Sequence, residues 1–146
     1  MFVIDIITFA LIIASLAIGI YGTLTIKELI PTRYNFSGEI IGYGSPGTLL
    51  LMPIIMGFAI LVVEVLRFIL PADAWNMPFK VINEQVYVDM AYMLHLMNLC
   101  IAAFTFYMTL CIFLQRSMGL FGAMFLVGSL VIISIVWIIK AKRDNV

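Results

Sequence analysis

Four long apolar runs dominate this chain and restrict what it can fold into. They cover residues 4–26, 47–70, 90–114 and 117–139, and each is 23 to 25 residues long. An α-helix of that length measures about 35 Å at ~1.5 Å per residue, which is enough to cross the ~30 Å hydrocarbon core of a bilayer. A transmembrane β-barrel would instead show alternating segments of about ten residues. Because the runs are continuous, they predict four transmembrane helices.

Composition agrees with a membrane protein and excludes several soluble classes. Hydrophobic residues make up 64% of the chain and charged residues 11%, against about 45–50% and ~25% in soluble domains. A chain of 146 residues cannot bury that much apolar surface by folding in water. Eight Lys and Arg balance eight Asp and Glu, so there is no basic patch for nucleic acid. We therefore predict an all-α integral membrane protein, a four-helix bundle forming one domain over residues 1–146, with membrane lipid as its surroundings.

Positive charges near the predicted helix ends indicate the orientation of the chain, because cytoplasmic loops carry an excess of Lys and Arg. One side holds five of these residues: Arg67, Lys80, Lys140, Lys142 and Arg143. The other side holds three: Lys27, Arg33 and Arg116. The bias predicts that both termini and loop 71–89 lie in the cytoplasm and that loop 27–46 lies outside. A tight turn at Gln115–Arg116 then makes the third and fourth helices an antiparallel hairpin.

Loop 27–46 is predicted to be a structured outer loop, because glycines that permit positive φ and prolines that restrict φ favour compact turns. We expect Pro31, Asn35, Gly38 and Glu39 to determine its shape. In this prediction Asn35 and Glu39 bond to backbone donors of the loop, and Gly38 has positive φ. The rings of residues 34, 36 and 43 are suited to the membrane interface.

Two loop segments carry a resemblance to a known family. The first reads IPTRYNFSGE over residues 30–39, with GYGS at 42–45 and LMP at 51–53; the second reads WNMPFKV at 75–81 and NEQ at 83–85. In this order they resemble a bacterial membrane domain of unknown function found at the N-terminus of SdpI-type immunity proteins, which protect cells from a secreted toxic peptide.

The resemblance covers roughly residues 1–100 and implies a multi-pass protein of the bacterial inner membrane. It places Pro31, Arg33, Asn35, Gly38 and Glu39 in an outer-loop motif and supplies no catalytic residue. Arg33 stands where the family usually has a histidine, so a role that needs a loop histidine is not expected here.

A polar stripe runs along the third predicted helix. At 100° per residue, His95, Asn98, Ala102, Thr105 and Thr109 fall within about 80° of arc. One interpretation is a packing face whose polar groups bond across helices. The other is a water-accessible, proton-sensing path, because ionisable groups inside a membrane are costly and often functional.

The second predicted helix carries two charges, Glu64 and Arg67, three residues apart and therefore on one face. They either form a buried ion pair or extend to the headgroups. We expect Glu64 to face the interior and to pair with Arg67 or with a polar group of the His95 stripe. Asp5, near the start of the first helix, is interpreted as a solvated interfacial charge.

Small residues indicate where helices approach one another closely. Ala10, Ala14 and Ala17 share one face of the first predicted helix, and Gly119 and Ala123 form a small-residue pair in the fourth. Such faces serve either the internal bundle or a homo-oligomer, and the sequence does not separate the two.

No catalytic, metal or cofactor site emerges from the sequence. It has no phosphate loop, nucleophile–base pair or cofactor fingerprint. A lone histidine without a cysteine or carboxylate near it in sequence does not predict a zinc site, which takes three or four ligands. Cys100 and Cys111 lie about 16 Å apart along one helix, too far for a disulfide.

Two functional hypotheses follow from these features. The first is a small non-enzymatic membrane protein for peptide-toxin immunity or ligand sensing, with a peptide ligand at loop 27–46 and a cytoplasmic protein partner at loop 71–89. The second is a transporter or channel component with a polar path at His95 and Glu64. A membrane enzyme is the least supported class, because only isolated polar residues are available.

Overall fold

The computed structural model describes residues 1–146 and contains the four predicted helices. They are α1 (Phe2–Thr25), α2 (Leu51–Ile69), α3 (Gln85–Phe113) and α4 (Gly119–Asp144). All four are long and apolar enough to cross a membrane. Two short 3₁₀ helices, Pro46–Leu50 and Ala72–Ala74, lie on either side of α2 in the chain.

The central element of the fold is α3, which packs against each of the other three helices. Its contacts with α1 and α4 are the most extensive, and α2 packs on α1 and α3. The fourth helix packs mainly on α3 and has few buried residues. The predicted four-helix bundle is therefore a three-helix core with α4 added on one side.

The two ends of this helix assembly differ. One end, which we call the termini end, holds the start of α1 and the end of α4, so both termini lie together. The other end, the hairpin end, holds loop 27–46 and the turn between α3 and α4.

The prediction of an all-α fold is wrong in one respect, because loop 27–46 forms a β-hairpin. Strand β1 (Ile30–Tyr34) pairs antiparallel with β2 (Ile40–Gly44). Both strands are rich in β-branched and aromatic residues, which favour strands, and they flank turn residues. The glycines and prolines of the loop predicted compact turns, but they did not predict the two five-residue strands.

The hairpin is anchored in a hydrophobic cluster at the hairpin end. Its buried members are Ile30, Leu49, Met108, Cys111, Ile112 and Met118. A smaller buried cluster, made by Ile12, Ile60 and Ala102, lies between α1, α2 and α3. The apolar core is thus densest where the hairpin meets α3.

The buried face of α1 is not the predicted alanine face. Its buried residues are Thr8, Ile12, Ser15, Gly19 and Gly22, whereas Ala10 and Ala17 are exposed. A Cβ at Gly22 would lie 2.4 Å from Leu49 Cδ2, so a larger residue there would displace the Leu49 side chain. The two hydroxyls are buried at low cost, since each bonds to the backbone of its own helix.

Gly119, the first residue of the predicted small-residue pair of α4, does not pack within the bundle. Gly119 begins the helix with φ of 67°, and no atom would meet a Cβ built on it. The glycine that faces α3 is Gly122, whose added Cβ would lie 2.9 Å from the ring of Tyr107. The close approach of α4 to α3 therefore occurs one residue before the predicted Ala123 position.

Candidate functional site

Three helices bring five polar side chains together near the termini end, and we call this group the polar cluster. Its members are Asp5, Glu64, Arg67, His95 and Asn98. Asp5 lies in the first turn of α1, whereas Glu64 and Arg67 lie one turn apart near the end of α2. His95 and Asn98 lie one turn apart on the buried face of α3.

Glu64 is the most extensively bonded residue of the cluster. Its Oε2 accepts hydrogen bonds from Nε and one terminal nitrogen of Arg67, at 3.2 and 2.9 Å. Its Oε1 accepts from Asn98 Nδ2 at 2.8 Å and lies 3.6 Å from His95 Nδ1. The prediction that Glu64 faces the interior, paired with Arg67 and with the His95 stripe, is confirmed.

His95 is buried, with 1% of its surface exposed, and Nδ1 contacts Oδ1 of Asp5. Despite this contact, neither ring nitrogen makes a hydrogen bond. An unsatisfied buried polar group costs about 1–3 kcal/mol. The imidazole is therefore held against two carboxylates without a proper partner of its own.

The interpretation of Asp5 as a solvated charge is wrong. Asp5 continues the buried face of α1, whose members 5, 8, 12, 15, 19 and 22 follow a spacing of three and four residues. That spacing marks a helix seam and was present in the sequence. The alanines indicated a different face of α1. The series of Asp, Thr, Ser and Gly residues was the sequence signal for the buried face.

The polar cluster can attract a cation. With a neutral His95, two carboxylates and one guanidinium leave one net negative charge. Single ligand atoms of Asp5, Glu64 and His95 lie within 4.8 Å of one another. The arrangement therefore suits a small cation between the three side chains.

The remainder of the α3 stripe does not continue the cluster toward the hairpin end. Ile12, Ile60 and Ala102 form the next buried layer. Beyond it, Thr105 and Thr109 donate to carbonyls of α3 itself, at 2.8 Å in both cases. The stripe is buried, which favours the interpretation as a packing face, but its polar groups reach another helix only at the termini end.

The outer hairpin, residues 30–44, has the predicted glycine geometry at its turn. Gly38 has φ of 80°, and its N–H donates to Asn35 O at 3.0 Å. Asn35 Oδ1 accepts from the backbone of Glu39 at 2.8 Å, as predicted. The Glu39 carboxylate accepts from the Asn35 side chain at 2.9 Å and not from a backbone donor, which corrects that part of the prediction.

The tip of the hairpin docks on the turn between α3 and α4. Gly38 O accepts from Met118 N at 2.8 Å, and Tyr34 Oη donates to Arg116 O at 3.3 Å. A Cβ on Gly38 would come within 2.3 Å of the Gly119 backbone. Burial raises the pKa of Tyr34 to about 12, so its hydroxyl stays a donor even in alkaline solution that would ionise a free tyrosine.

The other hairpin residues of the predicted motif have different surroundings. Pro31 is buried, whereas Arg33 is exposed. Three apolar side chains point outward from the hairpin: Phe36, Ile41 and Tyr43, with exposed fractions of 84%, 63% and 62%. The hairpin thus combines a docked inner side with an apolar outer side.

Sequence reasoning also missed an ion pair between α3 and α4. Asp89 is buried and pairs with Lys140. Residue 89 falls in the predicted loop and residue 140 in the predicted tail, because the helices extend beyond the apolar runs. Charged helix ends that pack on one another are invisible to a search for apolar segments.

The chain's end is tied to loop 71–84 near this ion pair. Asn145 Oδ1 accepts from the backbone of Ile82 and Asn83, at 2.7 and 3.1 Å, and its amide donates to Lys80 O at 2.8 Å. Beside this loop, a cavity of about 170 Å³ lies between Arg67, Trp75 and Tyr87. Loop 71–84 is therefore ordered by contacts at the termini end.

Comparison with known proteins gives one match. Residues 10–57 match a family described as a domain of unknown function (DUF1648). This segment contains most of α1, the outer hairpin and the first residues of α2. Comparisons with curated proteins and with solved structures give no match.

Proposed function

We propose that this chain is a small non-enzymatic membrane protein that binds a membrane-active peptide at its outer hairpin, either to neutralise it or to sense it. The observation that carries the proposal is the hairpin itself. It is held in one shape by its turn and by Met118, while Phe36, Ile41 and Tyr43 remain exposed. A preorganised apolar surface binds a ligand with less loss of conformational entropy than a mobile loop does.

The hairpin is also connected to the helices. Its tip bonds to Met118, which follows α3 and precedes α4, and Ile30 packs with Met108 and Ile112 of α3. A ligand that displaces the hairpin therefore acts directly on the central helix. This connection suits a sensing role as well as a purely neutralising one.

The resemblance to SdpI-type immunity proteins supports the same class of function. It suggests a secreted toxic peptide as the ligand and the bacterial inner membrane as the location. The Lys and Arg bias supports an orientation with both termini in the cytoplasm. Loop 71–84, ordered by Asn145, is then the surface available to a cytoplasmic partner.

A transporter or channel is the second candidate, and the polar cluster is the observation that favours it. A path through the fold would need polar groups beyond His95. The layer of Ile12, Ile60 and Ala102 interrupts such a path, and the hairpin cluster covers the far end. Ion or proton flux in proteoliposomes that carry the purified protein would support this candidate over the first.

The peptide-binding proposal is tested in cells with and without the gene, challenged with a panel of membrane-active peptides. We expect the gene to raise tolerance to at least one peptide, and Phe36→Ala together with Tyr43→Ala to reduce that gain. Phe68→Ala is the control, because Phe68 is a highly exposed aromatic residue that lies on α2 and not on the hairpin. Equal peptide sensitivity with and without the gene would overturn the proposal, as would equal loss in the control at the same protein level.

A further inference from the structure

We propose that Asp5, Glu64 and His95 form a binding site for a divalent first-row transition-metal ion. Each residue comes from a different helix, so the bound ion would join α1, α2 and α3 at the termini end. The inference concerns the polar cluster alone and does not rest on the proposed role of the hairpin.

The spacing of the donor atoms fits a small ion. His95 Nδ1 lies 3.6 Å from Glu64 Oε1 and in contact with Asp5 Oδ1, and all three atoms lie within 4.8 Å of one another. Ligands of a tetrahedral ion with bonds of 2.0–2.2 Å lie about 3.4 Å apart. The Asp5 carboxylate must move away from His95 to make room, and its side chain is 29% exposed.

The unsatisfied imidazole is the second observation that points to a ligand. His95 is 1% exposed, neither of its ring nitrogens makes a hydrogen bond, and Nδ1 lies beside an oxygen of each carboxylate. Coordination through Nδ1 would give this buried nitrogen a partner. An acidic pair on the surface would not indicate a bound ion in the same way, because water donates hydrogen bonds to its oxygens.

Neighbouring side chains hold the Glu64 carboxylate in a position suited to binding a metal ion. Arg67 binds Glu64 Oε2 and Asn98 donates to Oε1, so the Glu64 carboxylate is held in place by two neighbours. Such outer contacts position metal ligands and are worth roughly 10–100-fold in metal affinity. The excess negative charge of the cluster favours a cation, and Glu64 and Arg67 also line a depression beside Phe9.

The donor set determines the class of ion. One imidazole nitrogen with two carboxylate oxygens suits Zn²⁺, Mn²⁺, Fe²⁺ or Co²⁺. Ca²⁺ and Mg²⁺ prefer sites made of oxygen alone. Copper(I) prefers thiolate or thioether sulfur, which the cluster does not offer.

The test uses the full-length protein purified in detergent, stripped with a chelator and titrated with Zn²⁺ by calorimetry and with Co²⁺ by visible absorption. We expect about one equivalent of either ion, a Co²⁺ spectrum typical of nitrogen and oxygen ligands, and a higher unfolding midpoint with Zn²⁺. Asp5→Asn and His95→Gln should each weaken binding at least about tenfold. Circular dichroism checks that both variants keep their helices.

Two controls make the result specific to the cluster. Asp73→Asn removes an exposed acid at the same end of the molecule, and binding should be unchanged. Replacing Cys100 and Cys111 by Ser removes the thiols, and binding should again be unchanged. Absence of saturable binding to the wild-type protein would overturn the proposal. Binding by Asp5→Asn and by His95→Gln with the wild-type affinity would overturn it as well.

Discussion

At the scale of single residues, the space around each side chain determines which substitutions the outer hairpin and the polar cluster tolerate. Gly38 meets two requirements at once, positive φ and contact with the Gly119 backbone. Gly47, in the 3₁₀ helix Pro46–Leu50, meets neither, because its φ is not positive and no atom lies within 4 Å of an added Cβ. These two glycines look alike in the sequence and should respond differently to the same substitution.

Gly38→Ala should therefore destabilise the docked hairpin, and Gly47→Ala should have little effect. Residues other than glycine at positive φ cost about 1–3 kcal/mol, and the clash with Gly119 adds to this. The measurement is limited proteolysis of the hairpin together with the thermal unfolding midpoint in detergent. Equal behaviour of the two variants would contradict the docked geometry of the Gly38 turn.

Glu64 offers a second residue-scale prediction, made for the chelator-treated protein. Glu64→Gln removes the acceptor charge for Arg67, and loss of a charge-assisted bond in a partly buried site costs about 1–3 kcal/mol. Because Asp5 contacts His95 and is not free in solvent, Asp5→Asn should also be destabilising.

Thermal unfolding of Glu64→Gln, Arg67→Gln and the double variant separates the pair from the rest of the cluster. We expect the double variant to lose less than the sum of the two single variants. Strict additivity would mean that Glu64 and Arg67 act independently and that the ion pair contributes no stability of its own.

At the scale of elements, the ends of helices are where the sequence was least informative. The apolar runs located all four helices, but α3 begins at Gln85 and α4 ends at Asp144, outside those runs. The ion pair between Asp89 and Lys140 was therefore not predicted. Hydrophobicity reports the part of a helix suited to lipid, whereas the ends are determined by pairing between helices that are distant in sequence.

The turn between α3 and α4 shows the same limitation in its backbone. Gln115 has φ of 53°, Gln115 N donates to Ile112 O and Arg116 N donates to Cys111 O. These two bonds form a Schellman motif, in which glycine usually takes the position with positive φ. A sequence with Gln at this position gives no signal for the motif, although it did predict a tight turn.

Gln115→Gly should stabilise the protein, because glycine adopts positive φ without the penalty that other residues pay, about 1 kcal/mol. Gln115→Ala is the control and should give no comparable gain, since alanine carries the same restriction on φ. The thermal midpoint in detergent distinguishes the two. A gain in both variants would point to the Gln115 side chain and not to its backbone.

At the scale of the whole molecule, the fold separates two regions of different character. The hairpin end holds the larger apolar cluster and the docked outer hairpin. The termini end holds the polar cluster, the Asp89–Lys140 pair and the contacts of Asn145. Both chain ends lie at the termini end, which agrees with an even number of crossings. The side of the membrane on which the termini end lies stays a prediction, based on five positive charges against three.

Cysteine labelling tests that orientation. Ser37→Cys lies at the exposed hairpin turn and Val146→Cys at the fully exposed last residue, in a background where Cys100 and Cys111 are Ala. Val146 is preferred to Asn145, because the Asn145 side chain holds loop 71–84. With both termini in the cytoplasm, a membrane-impermeant maleimide should label residue 37 in intact cells and residue 146 only after lysis. The reverse pattern would indicate the opposite orientation. Four crossings, with the hairpin between the first two, place the two sites on opposite sides of the membrane. Labelling of both sites in intact cells would therefore contradict four membrane crossings.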